Sequence, residues 1–177
     1  DYNYTFDPRV YLKRFFDEEN GAYAFLVDEA HNLVDRSREM FSAKLRKSDF
    51  LALRRAVKNH LSAVYRAVGK INIWMRDARK RIQETDGFQS KAHLPDGLEP
   101  LLRGFLRVSE RWLAKNQSAP FREIVMERYF ETSGFLRVWD QFDDSYVTCR
   151  QATGTDLQVK LFCLDPSSHL RLALRRS

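Results

Sequence analysis

Two adjacent carboxylates, Asp28 and Glu29, follow directly on the short apolar run Tyr23-Ala24-Phe25-Leu26-Val27, and His31 stands two residues beyond them. The run has the length and the aromatic and β-branched content of a buried strand, so the acids fall at a strand end. In open α/β sheets ligands bind off the carboxyl ends of strands, where acids face a substrate and its metal instead of a core. Successive side chains leave a strand on opposite sides. As the chain turns into a helix, one carboxylate can therefore hold a hydrated magnesium ion while the other orients an attacking water. Phosphoryl transfer from a nucleotide needs that division of labour, because its catalysis is mostly positioning and charge neutralisation.

The elements that would position these groups can be read in order. Asp7-Pro8 suits a cap and first helical position, with Val10, Tyr11, Phe15 and Phe16 as the apolar face of a short helix. The acidic run from Asp17 to Gly21 ends it. After His31, Leu33, Val34, Met40 and Phe41 suit a helix reaching about Ser42, and residues 43–46 read as a short strand or a plain linker. From Ser48, a good N-cap, Phe50, Leu53, Val57, Leu61, Val64, Val68, Ile71, Met75, Ala78 and Ile82 recur every three or four residues, which predicts one long helix. Gly69 weakens its middle by about 1 kcal/mol relative to alanine and marks a bend or a close packing contact. Residues 85–97 read as a loop. A second helix carries Leu98, Leu101, Leu102, Phe105, Val108, Trp112 and Leu113. A third, after Ala119-Pro120, carries Phe121, Ile124, Val125, Tyr129, Leu136, Trp139 and Phe142. Three such helices can bury their seams against one another. The period then changes to two: 146–150 and 157–163 alternate as a hairpin around Thr153-Gly154-Thr155, and Ser167 or Ser168 can cap a last helix.

Charge is unevenly spread. Residues 1–47 hold eight basic and nine acidic side chains, whereas residues 48–90 hold nine basic and four acidic, so this second stretch carries +5 of the net +6. A nucleic acid would feel that surplus. Arg103, Arg107, Arg111 and Lys115 recur every four residues, which stacks them in one stripe along a helix, and Arg76, Arg79, Lys80 and Arg81 form a second basic group. Two readings stand for both sets: phosphate contacts, or solvated faces supported by carboxylates such as Glu99 and Glu110. Trp112 and Trp139 sit on apolar faces and read as core. Trp74 lies beside its seam and is the better candidate for stacking on an unpaired base. His60, His93 and His169 show no metal-binding spacing.

Asp28-Glu29-Ala30-His31 resembles the DEAH form of the Walker B box of superfamily 2 helicases. The segment from Asp1 to Arg9, DYNYTFDPR, and the segment from Leu161 to Ser167, LFCLDPS, both resemble pieces of the XPD/DinG-like DNA helicases, and the three blocks stand in that family's order. The resemblance covers about a third of the chain in scattered pieces. It implies a fragment of an ATP-dependent DNA helicase moving 5′ to 3′ on single strands, with a role such as DNA repair. Asp28 would be the magnesium ligand, Glu29 the water-orienting base, and His31 a relay between nucleotide state and neighbouring motor elements.

The implied fold is mainly α with a small β component: a three-helix antiparallel Arch-type insertion attached to a stub of a RecA-like α/β motor domain. The expected division is a motor stub over 1–42, the insertion over 43–155, and a return strand and helix over 156–177. In relatives the insertion arches over the motor and helps enclose single-stranded or forked DNA. An insertion that docks a protein partner and barely touches DNA is the rival reading.

A P-loop requires a glycine, four residues, then Gly-Lys-Ser/Thr, and the one Gly-Lys pair, Gly69-Lys70, is followed by Ile71. The phosphate-gripping half of the ATP site is therefore expected before Asp1, and the fragment alone is expected to be inactive. Cys149 and Cys163 cannot supply the four thiolates of an iron-sulfur cluster, which the family carries, where present, ahead of the first residue here. They read as thiols of a reducing, cytoplasmic compartment. At 177 residues, 44% hydrophobic and 31% charged, the composition is that of an ordinary globular chain with a substantial core, without a run that would span a membrane.

Overall fold

The computed structural model describes residues 30–84 and 86–175. The expected helix near residues 8–16, the strand Tyr23–Val27 and the acids Asp28 and Glu29 lie outside the described residues. A single 3-10 turn, Ala30–Asn32, leads into α1, Leu33–Met40. Strand β1, Ala43–Arg46, follows, so the 43–46 segment is a strand. Helices α2 (Lys47–Ala56) and α3 (Ser62–Gln83) come next, then β2 (Phe88–Lys91), α4 (Glu99–Lys115) and α5 (Arg122–Trp139). The hairpin β3 (Tyr146–Thr153) and β4 (Asp156–Cys163) precedes α6, Ser167–Arg175. The chain is thus mostly helical with one small sheet. No described helix is long and apolar enough to cross a membrane.

The long helix expected from Ser48 is two helices. Its seam continues, since Phe50, Leu53, Val57, Val64, Val68, Ile71, Met75, Ala78 and Ile82 are all buried, but the backbone turns at residues 57–61. There the amides of His60 and Leu61 both bond the carbonyl of Val57, which tightens the last turn before α3 starts. Lys58, Asn59 and His60 are all exposed, and asparagine and histidine hold a helix poorly, so nothing buried in that stretch enforces continuity. Folding back lets α2 pack on α3. Arg54 lies over the Tyr65 ring at 4.5 Å and donates to its hydroxyl at 2.9 Å. A Cβ on Gly69 would sit 3.6 Å from Arg54 Nε, an ordinary contact, so the packing at that position does not require a glycine.

Ser48 is not the cap of α2. The helix starts one residue earlier, and the Ser48 amide donates at 2.8 Å to the Asp156 carboxylate, which arrives from β4. At α6 the Ser167 amide donates to Asp165 at 3.0 Å, so Asp165 rather than a serine satisfies the first turn.

The sheet is antiparallel throughout, in the order β1-β4-β3-β2. Strand β2 lies inside the stretch expected to be a loop. Its partner β3 is some sixty residues away in sequence, and three of its four side chains are exposed, so no local period announces it. Asp86 and Gly87 at positive φ, 55° and 73°, turn the chain out of α3 and into it. Burial alternates cleanly along β4, where Leu157, Val159, Leu161 and Cys163 are buried. With Leu45 of β1 and Tyr146 and Thr148 of β3 they form one face, against which α2, α3 and α5 rest. Phe50 and Phe105 meet edge to face at 6.0 Å between α2 and α4, within the main core, and a smaller cluster gathers Leu33 and Leu170 around Met40. The β3–β4 hairpin turns at Gly154, φ 58°, and so joins residues on both sides of position 155 in one element.

Candidate functional site

Two regions carry the groups singled out by sequence: the junction after the tetrapeptide Asp28-Glu29-Ala30-His31, and the basic surface of α3 and α4. At the junction, Ala30 and an exposed His31 form the 3-10 turn that opens α1. The chain then leaves along β1 and comes back along β4, with Ala43 opposite Leu161. The Ser42 hydroxyl accepts the Cys163 amide at 2.9 Å in a buried bond. Arg38 on α1 donates to the Leu164 carbonyl at 3.0 Å, and Phe41 stacks on His169 of α6 at 4.8 Å. The end of α1 and the start of α6 are therefore brought together by the two ends of the same 120-residue excursion.

The α4 stripe is uneven. Arg103 is committed to carboxylates, at 2.8 Å from Glu99 and 2.6 Å from Asp140, and those bonds hold its pKa above the ordinary guanidinium value. Arg107, Arg111 and Lys115 are exposed and make no ion pair with a described residue. They can meet phosphates without first breaking a bond.

On α3, Arg76 pairs with Asp77 at 3.1 Å, and Arg79 reaches the Gly154 carbonyl of the hairpin turn at 2.9 Å. Arg79 so fixes hairpin to helix and has less freedom to leave. Lys80 and Arg81 are exposed. Trp74 donates its indole N–H to the Asp96 carbonyl at 3.0 Å and lies under the Arg150 guanidinium at 5.5 Å. Burial first, and the charge of Arg81 second, push the Arg150 pKa down. The fold thus gathers Trp74, Arg79, Arg81 and Arg150 around the hairpin, and leaves the α4 stripe as a separate set. Arg150 was not legible as part of this cluster, because the cluster forms only when β3 crosses α3.

Most of the other tryptophans and histidines singled out by sequence are engaged within the fold. Trp139 is buried and Trp112 is packed against the core, as their helix faces suggest. His60 stacks on Phe121 at 4.6 Å, and His93 lies 3.1 Å from the Leu94 carbonyl. Cys163 is buried and Cys149 half-buried, and both are free thiols. Burial also pushes the Cys163 thiol up, away from the reactive thiolate.

Compared with models of known protein families the chain matches none, and no curated protein sequence matches it.

Proposed function

We propose that this chain is the DEAH-bearing end of the first motor domain, with its helical insertion, of an ATP-dependent DNA helicase of the XPD/DinG-like kind. The observation that carries the reading is the pairing of β1 with β4. A segment inserted into a motor must leave and return at neighbouring points, or it would pull the motor's own elements apart. Here departure and return are hydrogen-bonded strands, and Phe41, the residue that follows α1, stacks on His169 of α6. The segment that leaves begins at Ala43, fourteen residues after Glu29, and it presents cations that make no ion pair with a described residue.

In this reading Asp28 holds magnesium, Glu29 orients the attacking water, and His31 relays nucleotide state toward α1. Magnesium prefers oxygen donors, and a carboxylate at a strand end supplies one. When bound with ATP it would neutralise charge on the β- and γ-phosphates. Arg107, Arg111 and Lys115 would contact the phosphates of the single strand that the insertion helps enclose. Arg103, Arg76 and Arg79, already bonded within the protein, would contribute less.

The test is Glu29→Gln in a protein that also carries the phosphate-binding loop. ATP hydrolysis should fall at least about a hundredfold, as for loss of a general base, while nucleotide affinity stays within a factor of two or so. Unchanged turnover overturns the reading. The 177-residue chain alone should show no magnesium-dependent hydrolysis.

A further inference from the structure

An open groove of about 940 Å³ runs between α1 and α5, beside the first residues of β1. Phe130 stands on its rim 60% exposed, an uncommon position for a phenylalanine. Tyr129 meets that ring at 76°, and no aromatic ring among the described residues stacks parallel on it. Each carboxylate lining the groove is already paired: Asp35 with Arg38 at 3.0 Å, Glu39 with Lys160 at 2.7 Å, and Glu131 with Arg128. Burial also raises the pKa of Glu131, which makes its charge easier to lose. Two lining cations, Lys44 and Arg137, are exposed and have no hydrogen bond or ion pair among the described residues. After internal pairing, the groove is left with positive charge and a free aromatic face.

We propose that this groove binds unpaired nucleic acid, with one base stacked on Phe130 and adjoining phosphates met by Lys44 and Arg137. The inference rests on the helicase reading above and names a binding site within it. Phe130 and Arg137 are seven residues apart on α5, two turns along one face and about 10 Å in rise, so a strand lying along the helix meets both. Lys44 faces them from β1 across the groove. An aromatic platform with cations beside it grips single strands with little regard for sequence, because every base offers a π-face and every nucleotide a phosphate. The site lies where α1, the helix that follows the DEAH box, meets the inserted helices. A strand held there would bridge the two.

The experiment measures binding of a fluorescein-labelled oligothymidylate to the 177-residue chain by anisotropy, with circular dichroism confirming that each variant is folded. Phe130→Ala should weaken binding about tenfold, whereas Phe130→Tyr should keep it within about twofold. Lys44→Glu combined with Arg137→Glu should weaken it further and flatten its salt dependence. An oligonucleotide carrying 5-iodouracil should crosslink to α5 at Phe130. If the oligonucleotide binds but these variants bind as tightly as the parent and the crosslink falls elsewhere, the groove proposal is overturned while the helicase reading stands. If polyglutamate displaces the oligonucleotide at equal charge concentration and itself binds more weakly to the Phe130→Ala chain, the occupant is an acidic peptide and the proposal is overturned. If the parent chain binds no oligonucleotide, the groove proposal and the DNA-contact part of the helicase reading both fail.

Discussion

The Nε2 of His169 lies 2.9 Å from the hydroxyl of Tyr146, whose ring is buried in the core. The same imidazole stacks on Phe41, so one side chain ties α6 to β3 and to the end of α1. Phe142 stacks on the Tyr146 ring at 5.6 Å and extends the cluster toward the end of α5. Burial, and the Cys163 thiol beside it, push the Tyr146 phenol well above its ordinary range, so it stays protonated and able to donate to the imidazole.

That contact should make stability depend on pH near neutrality. Burial holds the His169 pKa below its ordinary 6.5, and Asp143 and Asp165 only partly offset it. The unfolded chain therefore takes up the proton first. Stability from this group is complete above about pH 6.5, falls as pH drops below that value, and levels off below the folded pKa. Melting temperature followed by circular dichroism between pH 8 and pH 5 should show the fall, and His169→Gln, which can keep a hydrogen bond but cannot titrate, should flatten it. Asp143 and Asp165 have pKa values below the ordinary 3.8, so the stability they contribute is lost only in more acid solution.

Asp156→Ala should cost about 1 kcal/mol, the usual loss for an N-terminal cap, measured by urea unfolding. The carboxylate accepts both the Ser48 amide of α2 and, at 2.9 Å, the amide of its own neighbour Leu157, so it joins the hairpin turn to a helix start more than a hundred residues away. Asp156→Asn should recover much of the loss.

Such links explain what could be read in the residues and what could not. The apolar spacing from Phe50 to Ile82 named the buried face correctly, because a seam reports which side meets the core. It did not report that the chain folds back at His60, because a turn that restarts in phase leaves the spacing intact. The 146–163 hairpin was legible from its alternation and its glycine. Strand β2 was not, because its pairing with Cys149 and Arg150 is non-local and its side chains mostly face solvent. Trp74 looked free beside its seam. Asp96 and Arg150, which engage it, come from two other parts of the chain.

Phe50→Ala should lower stability by about 3–5 kcal/mol, because the ring is fully buried between α2, α4 and the rest of the core. Thermal or urea unfolding would measure it. A drop below about 1 kcal/mol would mean that α2 is not seated on the common core.

Replacing Arg107, Arg111 and Lys115 together by alanine should weaken single-strand binding and reduce the steepness of its salt dependence by about 0.7 for each phosphate no longer neutralised. Arg103→Ala should have a smaller effect on binding, since Glu99 and Asp140 already occupy its guanidinium. Anisotropy titrations at several salt concentrations separate the two sets. Equal effects would show that the two carboxylates do not restrain Arg103.

Strands β1 and β4 leave Ala43 and Leu161 about 5 Å apart, the separation of facing residues in an antiparallel pair. Residues 43–161 are in that sense a cassette: a linker of two or three residues could replace them without stretching the flanks, and a different helical cargo could be spliced onto the same pair of strands. Such an exchange would change what the segment presents to solvent while α1 and α6 keep their spacing.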